Sequence, residues 1–144
     1  MENDDGLGQK SRIRLRRSDV VLPDLSYRIV GCLFEVSNEI GSGHLERIYQ
    51  RAIAESFKRS SLSFKEQVRV PVTFKDKPIG WYQLDFLIED VVVLELKQGN
   101  HYRTAHMKQL LSYLKSTNKP IAIIATFRSD GVICKRLVNK DALK

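Results

Sequence analysis

The segment VVVLELKQGN, residues 91–100, starts as an apolar strand and then places Glu95 and Lys97 two positions apart. Side chains alternate along a strand, so both project to one face, the face Val91 and Val93 occupy earlier. A strand-end ion pair would account for them without chemistry. Asp85 strengthens the case for chemistry. It sits in WYQLDFLIED, residues 81–90, among Leu84, Phe86, Leu87 and Ile88. A carboxylate inside an apolar strand is costly unless it is paired or bound to a metal. If the chain turns at Glu89-Asp90, the hairpin brings Asp85 beside Glu95. Adjacent carboxylates repel and are best held by a shared cation. With oxygen ligands alone, that cation is Mg²⁺ or Mn²⁺ rather than zinc. A lysine beside them can orient a water or help deprotonate it. The spacing Asp85-x9-Glu95-x-Lys97 therefore suits metal-assisted phosphodiester hydrolysis.

The elements that must position these residues are legible as changes of period. Leu25, Ile29, Cys32, Leu33, Val36 and Ile40 recur at helical spacing over residues 24–40, with Asp24 as the expected N-cap. Gly41-Ser42-Gly43 breaks that helix. A second runs from about His44 to Arg59, with Leu45, Ile48, Tyr49, Ala52, Ile53 and Phe57 on its stripe. Val68, Val70, Val72 and Phe74 then alternate as in a half-buried strand. Pro71 pushes that strand toward an edge. Strands over about residues 79–88 and 91–97 complete an antiparallel meander. Helical spacing returns over residues 102–118, followed by an apolar strand at 121–127 and a last strand at 132–138. The order ααβββαββ predicts an α/β domain with a mixed central sheet of about five strands.

The chain has 144 residues, 42% hydrophobic and 28% charged, which suits one globular domain with its own core. It has no apolar stretch long enough to span a membrane, and its N-terminus has no apolar signal region. Cys32 and Cys134 have no nearby cysteine to complete a zinc or redox motif and suit a reducing compartment, so a cytoplasmic or nucleoid-associated protein is expected. The net charge is +7, which favours polyanionic partners. Residues 1–18 read as a flexible arm whose Arg12, Arg14, Arg16 and Arg17 could lie on phosphates, and residues 19–144 as the folded domain. Residues 18–144 still carry 19 basic and 14 acidic residues, so the excess is not confined to the arm.

The Asp85, Glu95 and Lys97 pattern resembles that of the PD-(D/E)XK nuclease superfamily. Two further segments sharpen the resemblance. Gly43-His44-Leu45-Glu46-Arg47-Ile48-Tyr49 matches the pattern that names its GxxExxY family, and Gln109-Leu110-Leu111-Ser112-Tyr113 matches the QxxxY helix motif of the RecB-like branch. The resemblance implies a restriction-endonuclease-like core, with the two N-terminal helices on one side of the sheet and the Gln109 helix on the other. It implies that Glu46, Asp85, Glu95 and the carbonyl of Leu96 hold the metal, and that Lys97 handles the attacking water. Gln109 and Tyr113, four apart on one helix face, would support the site or touch the phosphate. Tyr49 and His106 are further candidates for nucleic-acid contact. Members usually carry an arginine two residues before the strand aspartate, where this chain has Gln83.

The expected function is thus a Mg²⁺-dependent nuclease acting on nucleic acid, DNA in particular, with a homodimer or protein partner supplying any specificity. The alternative is a catalytically inactive nucleic-acid-binding or protein-interaction module that keeps a nuclease-like fold. His44 is expected in solvent and Cys32 in the core. Trp81 and Tyr82 could stack on a base, but core or edge packing is the ordinary expectation for both.

Overall fold

The structure is a computed structural model and describes residues 4–5, 8–9, 22–97 and 104–143. Near the N-terminus Asp4–Asp5 pairs antiparallel with Gly8–Gln9. The folded domain begins with helices α1, Pro23–Ile40, and α2, Glu46–Arg59. Three strands follow: β1, Phe64–Phe74; β2, Lys77–Ile88; and β3, Val92–Lys97. Helix α3, Thr104–Thr117, leads to β4, Ile121–Arg128, and β5, Gly131–Val138. The chain closes on a short 3₁₀ turn at Lys140–Leu143.

The five strands form one sheet in the order β1-β2-β3-β4-β5. β1, β2 and β3 pair antiparallel, β3 and β4 run parallel, and β4 and β5 are antiparallel again. A parallel neighbour needs a crossover, and α3 supplies it. Pro71 lies on β1, the edge strand, where its missing N–H does no harm.

Each face of the sheet has its own core. Ile29, Leu33 and Val36 of α1 and Ile53 and Phe57 of α2 pack against Phe86, Ile88, Leu94 and Ile123. On the opposite face Leu110, Tyr113 and Leu114 of α3 meet Leu84, Leu87, Val93 and Ile124. The helix placement is as the sequence predicts. Cys32 is buried on the α1 stripe, as expected. Among the described residues no helix is long and apolar enough to cross a membrane.

Three local expectations need correction. Asp24 does not cap α1; Pro23 takes the first helical position, where a missing N–H costs nothing, and Leu22 precedes it with φ 47. Helix α2 begins at Glu46 rather than His44. Leu45 is its extended N-cap, Leu45 and Ile48 are exposed, and the buried stripe runs through Tyr49, Gln50, Ile53, Ala54 and Phe57. His44 is half-buried rather than in solvent: its Nε2 lies 2.6 Å from the Ile40 carbonyl, and its ring meets Tyr49 edge-on.

The sheet also departs from regular alternation at one point. Strict alternation would put Leu84 and Phe86 on one face, yet Leu84 packs under α3 and Phe86 under α2. The faces exchange at Asp85. On β1, Glu66 pairs with Phe86 and Val68 with Leu84, which puts Gln67 opposite Asp85. Gln67 has a left-handed φ of 49. Such a backbone costs about 1–2 kcal/mol in a non-glycine residue. The distortion lies beside the acid that the sequence singles out.

Candidate active site

The β2–β3 ladder pairs Ile88 with Val92, Leu87 with Val93 and Phe86 with Leu94, and ends there. The next residues in register are Asp85 and Glu95. Their side chains replace the lost ladder bonds. The Asp85 amide donates to Glu95 Oε1 at 2.8 Å, and the Leu96 amide donates to Asp85 Oδ2 at 2.7 Å. Each acid is thus held by the backbone of the other's strand. Phe86, next in chain, is fully buried in a set of edge-on contacts with Phe57 at 5.3 Å and Phe64 at 5.8 Å. That anchor fixes the backbone from which Asp85 projects.

Two glutamines support Asp85 further. Gln67 hydrogen-bonds the Asp85 carboxylate. Its Oε1 accepts from Gln83 Nε2. Gln83, standing where the resemblance would place arginine, therefore reaches the aspartate through Gln67. From α2, Gln50 Nε2 donates to the Asp85 carbonyl at 3.2 Å and to Glu66 Oε1 at 3.0 Å. The Gln50 Oε1 is buried with no hydrogen-bond partner among the described residues. Gln50 lies one turn after Glu46, so one helix face brings both toward Asp85.

The loop before α2 explains the spacing of Gly43, Glu46 and Tyr49. Gly43 has φ 88, which favours glycine. Tyr49, three residues after Glu46, donates from its hydroxyl to the Gly41 carbonyl at 2.8 Å and stacks on Phe127 at 4.1 Å. It is 3% exposed. Tyr49 therefore cinches the α1–α2 loop and sets the start of α2. Its ring is committed to the core, so the expected nucleic-acid contact is corrected to a structural one.

Lys97 continues the Glu95 side of β3. Both line a cleft of about 300 Å³ walled by α3 and β2, with Ile124 at its base. His106 and Gln109 are exposed and line the same cleft. Tyr113 lines it too but is largely buried. The Thr117 hydroxyl, one turn further along α3, donates to the Tyr113 carbonyl at 2.7 Å; burial pushes the phenol pKa up, Thr117 opposes this, and the Asp90 charge adds to the rise. Asn139, donating to the carbonyls of Leu114 and Lys119 at 3.1 Å each, holds the end of that helix. Arg12, Arg14, Arg16 and Arg17 lie outside the described residues.

Electrostatics tie the three acids together. Burial pushes the Glu95 carboxyl up from its ordinary 4.5 to about 7; the Asp85 and Glu46 charges add to this, and the Asp85 amide and Lys97 oppose it. Asp85 is also raised, chiefly by burial, against the Leu96 amide, Lys97 and Gln67. Glu46 is raised by partial burial and by Asp85, and lowered by Lys97. Among the described residues no three acid, histidine or cysteine side chains converge into a ready metal cage. The acids feel one another through space without closing around a point. The donor chemistry still fits a hard divalent cation. Carboxylates and a backbone carbonyl are oxygen ligands, and the raised pKa values mark negative charge that Lys97 alone does not balance.

The sequence profile of the PD-(D/E)XK nuclease superfamily matches residues 23–137. The chain belongs to this superfamily. Its mixed five-stranded sheet with helices on both faces is a restriction-endonuclease-like α/β core. Two solved structures are similar to it. One is LHK-Exo in complex with dAMP, 14% identical, with a TM-score of 0.48 over 83% of this chain and 71% of that one. The other is an alkaline exonuclease (LHK-Exo) from Laribacter hongkongensis, 13% identical, with a TM-score of 0.44 over 82% of this chain and 84% of that one. No curated protein matches the chain.

Sequence reasoning missed Gln67 and Gln50. Gln50 left a signal: it is a polar residue one turn from Glu46, beside Tyr49 and in line with Ala54 on the buried stripe. Gln67 left none, because its strained backbone appears only once β1 is paired to β2. Trp81, expected to pack, is instead 61% exposed at the cleft.

Proposed function

We propose that the protein is a divalent-cation-dependent nuclease of the GxxExxY family that hydrolyses phosphodiester bonds in DNA. The reading rests on the reciprocal lock between Asp85 and Glu95, with Lys97 beside Glu95 in the cleft. A module that only binds gains nothing from holding two desolvated acids together. Glu46, Asp85, Glu95 and the Leu96 carbonyl would hold Mg²⁺, or Mn²⁺ in its place. Bound there, the cation would polarise the scissile phosphate and offset the charge that develops on it.

Lys97 orients the attacking water toward phosphorus, and its ammonium stabilises the negative charge of the transition state. Gln109 and His106, on the α3 wall, offer donors to the non-bridging phosphate oxygens. Gln67 and Gln50 keep Asp85 in place, and Tyr49 keeps Glu46 in place. The basic arm, Arg12 to Arg17, adds sequence-independent phosphate contact. A second copy or a protein partner supplies specificity.

The test is cleavage of labelled DNA and RNA with Mg²⁺, with Mn²⁺ and with EDTA, comparing the wild type with Glu95→Ala. Products are expected from DNA with either cation, and none in EDTA or from the variant. Cleavage that survives EDTA or the substitution would overturn the reading. Oligonucleotide binding without cleavage under all conditions would favour a binding module that keeps the fold without turnover.

A further inference from the structure

Trp81 is the only tryptophan in the chain. It is 61% exposed, although a residue of this size ordinarily contributes its area to a core. Its cross-strand partner is Pro71, which is itself exposed and too small to cover an indole. The Arg69 guanidinium lies over the ring, 4.8 Å from its centroid. Further out on the same ribbon Phe74 is 62% exposed, with Lys75 Nζ 5.6 Å from its ring. Residues 69–83 of this ribbon hold three basic residues and one acidic one. The ribbon is therefore an exposed pair of aromatic rings, each with its own cation.

Position gives this chemistry a direction. Trp81 lines the same cleft as Glu95, Lys97 and Gln109. An exposed ring with a cation behind it suits a flat, electron-rich partner attached to an anion. An unpaired nucleobase with its phosphate meets that description, because the base stacks and the phosphate takes the positive charge. A base held in a duplex is already stacked and offers no free face.

We propose that Trp81, backed by Arg69, is a stacking platform for an unpaired nucleobase of the strand whose phosphate enters the cleft at Glu95 and Lys97. The platform rests on the reading of the cleft as a nuclease site. It makes the preferred substrate a single strand or an unpaired end rather than a continuous duplex.

The single tryptophan makes the test direct. In EDTA, a 12-mer single-stranded oligodeoxynucleotide is titrated against the full chain, with binding read by anisotropy and stacking by Trp81 emission. Emission is expected to fall in step with binding. An abasic strand of equal length should bind without quenching, and a blunt duplex should quench little. Trp81→Ala should weaken single-strand binding about 10-fold or more, and Trp81→Phe should restore most of it. Binding with unchanged emission, equal affinity of Trp81→Ala, or no binding would overturn the platform. So would emission that depends on protein concentration alone together with a doubled mass in sedimentation, which would assign the patch to a second copy. The nuclease reading fails separately. Quenching by a protein that cleaves nothing in Mg²⁺ sinks the nuclease and leaves the platform, whereas cleavage without quenching does the reverse.

Discussion

Replacing Glu95 by glutamine should make the protein more stable above neutral pH, although it removes a residue central to the site. The Glu95 carboxyl is raised from 4.5 to about 7, first by burial and then by Asp85. A carboxyl with a raised folded pKa favours the folded state while it is protonated. That stability is fully present below pH 4.5, falls as the pH rises through 7, and is absent above it. At about 1.4 kcal/mol per pH unit, the displacement from 4.5 to about 7 corresponds to about 3 kcal/mol. Glutamine keeps an oxygen to accept the Asp85 amide, so the hydrogen bond at 2.8 Å survives while the charge does not. Urea denaturation in EDTA across pH 5 to 9 should show the wild type losing stability relative to the variant as the pH rises. By pH 8 the gap should reach about 2–3 kcal/mol, or about 6–10 °C in Tm. Added Mg²⁺ should restore the wild type at pH 8, by about 2.7 kcal/mol at a hundredfold excess over Kd, and should do less for the variant. Parallel pH profiles, or a variant less stable than wild type at pH 8, would refute the reasoning. Either result would make Glu95 a satisfied partner of Lys97 rather than strained charge awaiting a cation.

Three other substitutions probe the support of the site. Lys97→Ala should lower the cleavage rate about 100-fold or more, equivalent to about 2.7 kcal/mol of transition-state stabilisation, with little change in oligonucleotide affinity; a mild effect in single-turnover kinetics would reduce Lys97 to a structural ion-pair residue. Gln67→Gly should relieve the left-handed backbone and leave stability unchanged or raise it by about 1 kcal/mol. It should nevertheless slow cleavage, because Asp85 loses its side-chain donor; a variant that is stable and fully active would show the glutamine to be incidental. Tyr49→Phe removes the bond to the Gly41 carbonyl and should cost about 1 kcal/mol in denaturation. Cleavage should fall several-fold at unchanged KM as Glu46 loses its fixed start of helix, and unchanged kcat would separate the tyrosine from the acid.

Much of this architecture is legible along the chain because it depends on local period. The α1 stripe, the meander and the apolar run at 121–127 all follow from spacing that burial then rewards. The pairing of Asp85 with Glu95 also follows from the sequence, since a turn at Glu89-Asp90 leaves only one register that carries the acids together. The start of α2 was less legible. Leu45 and Ile48 extend the apolar stripe on paper, but Leu45 precedes the helix, which begins at Glu46, and Ile48 falls outside its buried stripe, so both are exposed.

The amino-acid sequence by itself determined which residues could do chemistry: two acids and a lysine in a hairpin, to which the family resemblance added Glu46. Their types and spacing are local properties, and the cost of a charge in an apolar strand shows without any fold. The tertiary structure alone decided how those residues are held. The exchange of faces at Asp85, the left-handed Gln67 opposite it, and the grip of Gln50 on a carbonyl 35 residues away depend on strands and helices meeting. The fate of the aromatics was decided the same way. Tyr49 found Phe127 and went into the core, while Trp81 pairs with Pro71, lies under Arg69 and stays exposed at the cleft. A ring's exposure depends on which neighbours the fold brings to it, and no periodicity carries that information.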